Sequence, residues 1–291
     1  MIGPADVLSR DIVERVLLKL GVATEPAPNL EGLSAVYRAW CQRVPFDNVK
    51  KLIHLGEECG GPFPGDDAND FFDSWLRHGT GGTCWAGNGA LFALLNTLGF
   101  AATRGIATMM RSPNTPPNHG TVVVELDGSR YLVDASILHG EPLRLEEAGA
   151  TATAHPAWGV RCELRDGRWN VAWLPLTAPE RIFCRVERLG ASADEFRRMH
   201  ESTRSWSLFN YALSARVNRR DAVVGAGLGR RVTITATGAV TQQPLSPQER
   251  ARLLIDEIGM SEEIVSRLPP DRPTPPPPWA ATSGDGSATE D

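Results

Sequence analysis

Apolar side chains recur at helical spacing through the first eighty residues. One stripe ends at Gly21 and predicts a helix over residues 5–20; its members are Val7, Ile12, Val16, Leu17 and Leu20. A second helix is predicted from a cap at Asn29 to Pro45, with a buried side of Leu30, Leu33, Val36, Tyr37 and Trp40. Residues 45–70 are rich in glycine and proline and predict a loop, which a short helix at residues 71–76 follows. This section therefore predicts a helical bundle.

A glycine-rich turn at residues 80–83 then brings a cysteine to the start of another apolar run. The run ends at Gly99 and has the spacing of a helix packed on a core, with the members Leu91, Phe92, Leu94, Leu95 and Leu98. Cys84 is therefore predicted in the first turn of that helix. Because the unpaired N–H groups and partial positive charge of a helix start favour a thiolate, we interpret Cys84 as a nucleophile.

Short β segments replace the helical pattern from residue 100 onward. Residues 101–110, 121–126 and 129–134 predict strands, and a second hairpin is predicted at 159–164 and 169–173. These strands predict a small antiparallel barrel or sandwich. Beyond them we predict a helix at 192–203, strands near 206–216 and 231–236, and a final helix between a capping box at Ser246 and a stop at Gly259. The predicted fold class is α+β.

The turn at residues 127–128, Asp-Gly, sets the register of the first hairpin. With a two-residue loop, Thr121 faces Asp134, so that His119 lies diagonally beside Asp134 on the same face, at a Cα separation of roughly 7–8 Å. A one-residue slip would place the two side chains on opposite faces. We hypothesise that Asp134 holds one ring nitrogen of His119 and leaves the other for Cys84, as in a Cys-His-Asp triad.

Composition narrows the possible partners of the chain. The 291 residues are 42% hydrophobic and 22% charged, which is typical of a globular protein. A net charge of -5 and the lack of a dense Lys/Arg block argue against nucleic acid or an anionic membrane as the partner. No apolar stretch approaches the roughly 18 residues of a membrane span, and we expect a cytoplasmic protein.

The remaining cysteines and histidines lack the context of Cys84 and His119. Cysteines that are odd in number and widely scattered suit reduced thiols, and we interpret four as structural: Cys41, Cys59, Cys162 and Cys184. The other histidines are interpreted as core or surface residues: His54, His78, His139, His155 and His200. Without paired Cys-x-x-Cys or His-x-x-x-His spacing, we expect no metal site.

These motifs together resemble the arylamine N-acetyltransferase family. Thr80-Gly81-Gly82-Thr83-Cys84 resembles the family's Arg-Gly-Gly-x-Cys turn, and Val44-Pro45-Phe46-Asp47-Asn48-Val49 resembles its Val-Pro-Phe-Glu-Asn-Leu loop. Asn118-His119 and Tyr131-Leu132-Val133-Asp134 match the family's histidine and Val-Asp motifs, 15 residues apart. Ser205-Trp206-Ser207-Leu208-Phe209 and Gly229-Arg230-Arg231 resemble its C-terminal region. The resemblance runs from about residue 10 to residue 268.

The resemblance implies a cysteine-protease-like catalytic core in three domains. These would be a helical bundle at 1–99, an antiparallel β-barrel at 100–190 and an α/β lid at 191–268. The composition of residues 269–291, rich in proline and then in Ser, Gly, Thr and acidic residues, predicts a disordered tail. The resemblance also implies ping-pong transfer from acetyl-CoA, a co-substrate rather than a permanently bound cofactor, to an arylamine or hydrazine. The implied triad is Cys84, His119 and Asp134. The implied substrate or CoA contacts are Phe46, Trp85, Thr115 and Ser136.

Departures from the family pattern leave other functions open. Thr80 stands where the family has arginine and Asp47 where it has the paired glutamate, while Ser136 replaces a common glycine. Because Ser136 and the bulkier Ile137-Leu138 follow the triad aspartate, the acyl or amine pocket is expected to differ. One alternative is an amide synthase that takes a larger acyl chain from an acyl carrier protein. A transglutaminase-like amidase is another, because triad geometry alone does not select the acyl donor. A binding module that keeps an inactive triad is a further alternative.

Overall fold

Helices dominate the N-terminal third of the computed structural model, which describes residues 7–112, 114–178 and 180–276. They are α1 (Arg10–Leu20), α2 (Leu30–Arg43), α3 (Val49–Gly56), α4 (Ala68–His78) and α5 (Cys84–Thr97). A short strand, β1 (Phe46–Asp47), separates α2 from α3. The largest apolar core lies between α1, α2, α4 and α5 and one face of the sheet beside them.

Two helix ends agree with the predictions from sequence. The Asn29 side chain accepts the N–H of Gly32 at 2.9 Å and caps α2, which ends one residue before Val44-Pro45. Gly21 adopts a left-handed conformation after α1, with φ of 68°. Both predicted helices are therefore confirmed, with boundaries set by their cap residues.

Three details of this section were predicted wrongly. Helix α1 begins at Arg10, because the Ser9 hydroxyl accepts the N–H of Ile12, and Val7 is 60% exposed before it. Leu30 is 45% exposed and does not belong to the buried side of α2. The predicted loop at 45–70 contains α3 and the start of α4, whose first turn is capped by Asp67.

An eight-stranded antiparallel sheet forms the middle of the chain. Its strands are β2 (Ala101–Met110), β3 (His119–Leu126), β4 (Ser129–Val133), β5 (Leu143–Leu145), β6 (Ala150–Ala152), β7 (Arg161–Arg165), β8 (Arg168–Trp173) and β9 (Ile182–Leu189). They follow the order β5-β4-β3-β2-β9-β8-β7-β6. The Thr151 hydroxyl on one edge strand donates to the Arg144 carbonyl on the other, so the sheet is nearly closed into a barrel.

The predicted hairpin register is confirmed. Val122 pairs with Val133 and Glu125 with Arg130, as a two-residue loop at 127–128 requires. One face of the hairpin packs on the helical core through Val122, Val124 and Val133, and the other packs inside the barrel through Val123 and Leu132.

A five-stranded sheet holds the C-terminal part of the chain. Helix α6 (Ala193–Ser202) leads to β10 (Ser214–Arg219), β11 (Ala222–Gly227), β12 (Arg230–Ile234) and β13 (Val240–Pro244). The strand order of this sheet is β1-β10-β11-β12-β13. Helix α7 (Pro247–Arg252), its π-helical continuation Leu253–Ile258 and α8 (Glu262–Ser266) complete the section. Because β1 pairs with β10, the N-terminal section contributes a strand to this sheet.

The strand predicted near residues 206–216 is mostly absent. Residues 203–213 form turns and one 3₁₀ turn, and β10 begins only at Ser214. The Asn48 side-chain amide donates to the carbonyls of Phe209 and Ala212 at 2.9 and 2.8 Å. These side-chain bonds satisfy backbone groups that a strand would pair with a neighbour.

The predicted tail does not begin at residue 269. The Asp271 carboxylate accepts the N–H of Leu213 at 2.9 Å, and Arg272 donates to the carbonyls of Tyr211 and Asn210. The chain is therefore held against the C-terminal sheet through residue 272, and residues 277–291 lie outside the described part. None of the described helices is long and apolar enough to cross a membrane.

Candidate active site

Cys84 is the first residue of α5, and the turn before it is held by β1. The Asp47 carboxylate accepts the N–H of Gly81 at 2.6 Å and the N–H of Val49 at 2.9 Å. A Cβ at residue 81 would overlap the Pro45 carbonyl oxygen, so this close approach requires glycine. The position of Cys84 is thus set by a backbone contact that only a glycine turn allows.

The two departures from the family pattern meet at this turn. Asp47 binds the Gly81 amide directly, while the buried Thr80 hydroxyl has no hydrogen-bond partner among the described residues. At this turn the family resemblance implies an ion pair between an arginine and a glutamate. In this chain the Asp47 carboxylate instead accepts a hydrogen bond from the Gly81 amide. Burial raises the pKa of Asp47 to about 6, because the bonds from Gly81 and Val49 only partly offset the loss of water.

His119 and Asp134 form a buried pair. Nε2 of His119 lies 2.7 Å from Oδ2 of Asp134, and the two side chains are 2% and 0% exposed. The second carboxylate oxygen, Oδ1, accepts the N–H groups of Ser136 at 2.9 Å and Ile137 at 3.0 Å. Every carboxylate oxygen of Asp134 thus has a donor, as a buried charge requires.

The pair shifts the pKa of each partner. Burial alone would lower the pKa of His119, but the Asp134 charge and hydrogen bond overcome it and raise the pKa to about 10. Burial alone would raise the pKa of Asp134, but the His119 ring and the Ile137 amide lower it well below its usual range. The arrangement therefore favours an imidazolium beside a carboxylate.

Cys84 lies on the remaining side of the imidazole. A hydrogen bond with the Cys84 thiol is among the causes of the raised pKa of His119. Because Nε2 is taken by Asp134, Nδ1 is the ring nitrogen left for Cys84. The buried sulfur also lies 3.9 Å from the carbonyl oxygen of Asn118. The structure therefore brings together the three side chains that the hairpin and the glycine turn predicted.

Two buried side chains that the sequence reasoning missed hold the backbone around these residues. The Tyr37 hydroxyl donates to the Asp134 carbonyl at 2.9 Å and accepts the N–H groups of Asp134 at 3.0 Å and His139 at 3.3 Å. Asn88 bonds the backbone of two other segments through its side-chain amide. Asn88 could have been identified from the sequence, because it is a polar residue in the apolar run that follows Cys84. Tyr37 gave no such signal, since it was one member of an apolar stripe.

The four predicted binding residues have different surroundings. Phe46 packs edge-on against Phe209, with 5.3 Å between the ring centroids. Trp85 packs edge-on against Phe196 with 5.0 Å between the centroids, and both belong to the same apolar cluster as Cys84. The Thr115 hydroxyl bonds Ser112 within its own loop. Ser136 lies beside Asp134, and its buried hydroxyl has no partner in the described part of the chain. Binding roles for Phe46, Trp85, Thr115 and Ser136 remain predictions.

Lys51 is a further polar group that the sequence reasoning missed. Its ammonium is buried, donates to the Thr203 hydroxyl at 2.8 Å and lies 4.5 Å from the centroid of the Phe63 ring. Burial lowers the pKa of Lys51 to about 7, although the nearby Cys84 acts in the opposite direction. No pattern in the sequence indicated a buried lysine, because α3 was predicted as loop.

Three of the four other cysteines are consistent with the predicted structural role, namely Cys41, Cys162 and Cys184. Burial raises the pKa of Cys41 and of Cys162 to about 12 and that of Cys184 well above its ordinary value, so these thiols stay protonated. Cys59 is exposed. Within residues 7–112, 114–178 and 180–276, no group of three or more histidine, cysteine or acidic side chains could hold a metal ion.

Comparisons with known proteins relate this chain to N-acetyltransferases. The model of a family described as N-acetyltransferase matches residues 29–172, which contain Cys84, His119 and Asp134. An arylamine N-acetyltransferase of Mycolicibacterium smegmatis is 30% identical over 149 residues, 48% of this chain and 52% of that protein. The chain thus matches about half the length of this curated relative.

Solved structures of arylamine N-acetyltransferases share the fold over most of the chain. The Mycobacterium marinum protein in complex with CoA has a TM-score of 0.75 at 20% identity, with 88% of this chain and 96% of that one covered. The Mycobacterium abscessus protein has a TM-score of 0.72 at 18% identity, with 88% and 92% covered. The predicted resemblance and fold class are therefore confirmed.

Removing the Tyr37 hydroxyl should destabilise the loop that carries Asp134. We expect Tyr37→Phe to lower the free energy of unfolding by about 3 kcal/mol, because it leaves buried backbone groups without partners. Tyr131→Phe is the matched control, since the Tyr131 hydroxyl bonds no described residue, and it should change stability by less than about 0.5 kcal/mol. Urea unfolding measures both; equal effects of the two substitutions would contradict the role of the hydroxyl.

The buried pair should also make stability depend on pH. Because the pKa of His119 is raised to about 10, its contribution is complete below the unfolded value of about 6.5 and is lost as the pH rises toward 10. We therefore expect the difference in unfolding free energy between wild type and Asp134→Asn to shrink by about 1 kcal/mol per pH unit between pH 7 and 9.

The exposed pair of Asp73 and Arg77 provides the control for this measurement. The difference in unfolding free energy between wild type and Asp73→Asn should stay nearly constant over the same pH range, because surface pairs contribute little to stability. If the difference in unfolding free energy between wild type and Asp134→Asn is also independent of pH, His119 is not charged in the folded protein.

Proposed function

We propose that the chain transfers an acetyl group from acetyl-CoA to the nitrogen of an arylamine or hydrazine, through an acetyl-cysteine at Cys84. The observation that carries this proposal is the 2.7 Å contact between His119 and Asp134, with Cys84 beside the free ring nitrogen. The match of residues 29–172 to an N-acetyltransferase family supports the choice of reaction.

In the first half-reaction, the Cys84 thiolate attacks the thioester carbonyl of acetyl-CoA. Negative charge develops on the carbonyl oxygen, and we propose that unpaired backbone N–H groups at the start of α5 stabilise it. The intermediate then collapses, the carbon–sulfur bond to CoA breaks, and the CoA thiolate takes the proton that His119 carried. The products are acetyl-Cys84, neutral His119 and CoA.

In the second half-reaction, the amine nitrogen attacks the acetyl-cysteine and His119 accepts the amine proton. The bond between the acetyl carbon and the Cys84 sulfur breaks, which restores the thiolate and the imidazolium. The Cys84 charge is one cause of the raised pKa of His119. Acetylation removes that charge, so the pKa of His119 falls when the ring has to act as a base.

Asp134 acts through His119 in both steps. Its carboxylate fixes the ring by the bond to Nε2 and stabilises the imidazolium. The amides of Ser136 and Ile137 hold the second carboxylate oxygen of Asp134, and the Tyr37 hydroxyl holds its backbone carbonyl, so contacts within the protein orient the ring. The imidazole is thus ready for proton transfer before acetyl-CoA binds.

The choice of CoA as donor rests on the similar fold of the Mycobacterium marinum protein, which was solved in complex with CoA. Contacts to the substrate or to CoA are proposed for Phe46, Trp85, Thr115 and Ser136. A cytoplasmic location and the three-domain division also remain proposals. We propose no carrier-protein donor, because no described contact and no comparison favours one.

Initial-rate kinetics with acetyl-CoA and a simple aniline or hydrazide would test the proposal. We expect parallel double-reciprocal lines, because an acetyl-enzyme separates the two half-reactions. Cys84→Ala should lose all turnover but keep the far-UV circular dichroism of wild type, and Cys59→Ala, which alters the exposed cysteine, should retain full activity. Intersecting lines together with turnover by Cys84→Ala would exclude the mechanism.

A further inference from the structure

Asn88 lies one turn after Cys84 on α5 and is 0% exposed. Its side-chain Nδ2 donates to the Gly120 carbonyl at 2.7 Å, and its Oδ1 accepts the N–H of Ala135 at 2.9 Å. Both polar ends of the amide are therefore used, and both partners are backbone groups of other segments. Among the buried residues of α5 only Asn88 has a polar side chain besides Cys84 and Trp85, and helix propensity alone does not explain an asparagine there.

The two partners of Asn88 identify what the amide connects. Gly120 follows His119 on β3, and Ala135 follows Asp134 after β4. A single side chain on the helix of the nucleophile thus bonds the residue next to the base and the residue next to the carboxylate. In the described part of the chain, no other side chain of α5 hydrogen-bonds to both of these segments.

Close backbone packing accompanies these bonds. A Cβ at Gly120 would collide with the rings of Trp85 and Phe196, so the strand reaches α5 only because residue 120 is glycine. On the other side, a Cβ at Gly87 would lie 3.2 Å from Cβ of Ala135. Helix α5 therefore lies directly against both segments, and Asn88 bonds to each where the helix meets it.

We infer that Asn88 is a positioning residue that sets the separation between Cys84 and the pair of His119 and Asp134. The inference rests on the proposed role of Cys84 as nucleophile, but its main test does not require acetyl transfer. Without the amide, α5 is free to shift against the hairpin, and the contact between the thiol and the imidazole lengthens. A displacement of about 1 Å costs a positioned reaction roughly a hundredfold in rate.

The test compares Asn88→Ala with Asn96→Ala. Asn96 lies on the same helix, but its amide bonds only the Phe92 carbonyl within that helix. The rate of alkylation of Cys84 by iodoacetamide would be followed from pH 5 to 9 by peptide mass spectrometry, with circular dichroism to establish folding. We expect the ratio of the alkylation rate at pH 6 to that at pH 9 to be about tenfold lower for Asn88→Ala than for wild type. The same ratio for Asn96→Ala should match wild type.

Turnover provides the second readout. If acetyl transfer is established for wild type, kcat of Asn88→Ala should fall about a hundredfold while KM for acetyl-CoA changes less than about threefold. If wild type shows no acetyl transfer, the alkylation profile still decides whether Asn88 controls Cys84. Failure of the proposed function and failure of this inference are thereby distinguished.

An unchanged alkylation profile in a folded Asn88→Ala protein would overturn the inference. If Asn88→Ala does not fold, Asn88→Ser replaces it, because serine is smaller than asparagine and keeps a polar group at the site. Loss of folding in both variants, with Asn96→Ala folded, would also overturn it, since Asn88 would then support the fold as a whole.

Discussion

The buried contact between His119 and Asp134 is the interaction on which the site depends. Neither group would keep its charge in the protein interior alone, because burial opposes ionisation of each. Together they are stable only while the other carboxylate oxygen has donors, which Ser136 and Ile137 supply. Tyr37 in turn holds the Asp134 backbone. The pair therefore requires an ordered loop after β4 and a helix α2 packed beside it.

A second constraint is the distance between α5 and its neighbours. The glycines at positions 81 and 120 let the backbone before Cys84 meet Pro45, and the backbone after His119 meet α5. Asp47 then bonds the turn, and Asn88 bonds the hairpin. Cys84, His119 and Asp134 come from separate segments of the chain, so these backbone contacts hold them in one place. An apolar core alone would leave such a separation less well defined.

Local patterns predicted the parts of the fold that depend on short-range chemistry. The turn at 127–128 was enough to derive the hairpin register. Side chains alternate between the two faces of a strand, so a shift of one residue would place the apolar side chains of the two strands on opposite faces. Contacts between distant segments were not predictable in this way. The bonds of Tyr37 to Asp134, 97 residues away, and of Asn48 to the segment before β10 join side chains to backbone that no periodicity connects. Helix α3 was missed because the glycines and prolines after it obscured its short apolar pattern.

The intact mass of the protein after brief mixing with acetyl-CoA, without an acceptor amine, tests the central claim most directly. The account predicts that wild type gains one acetyl group and that Cys84→Ala gains none. Addition of an arylamine should then return wild type to its original mass. An acetyl group that persists on Cys84→Ala, or a wild-type protein that stays unmodified while Cys84 reacts readily with iodoacetamide, would contradict it.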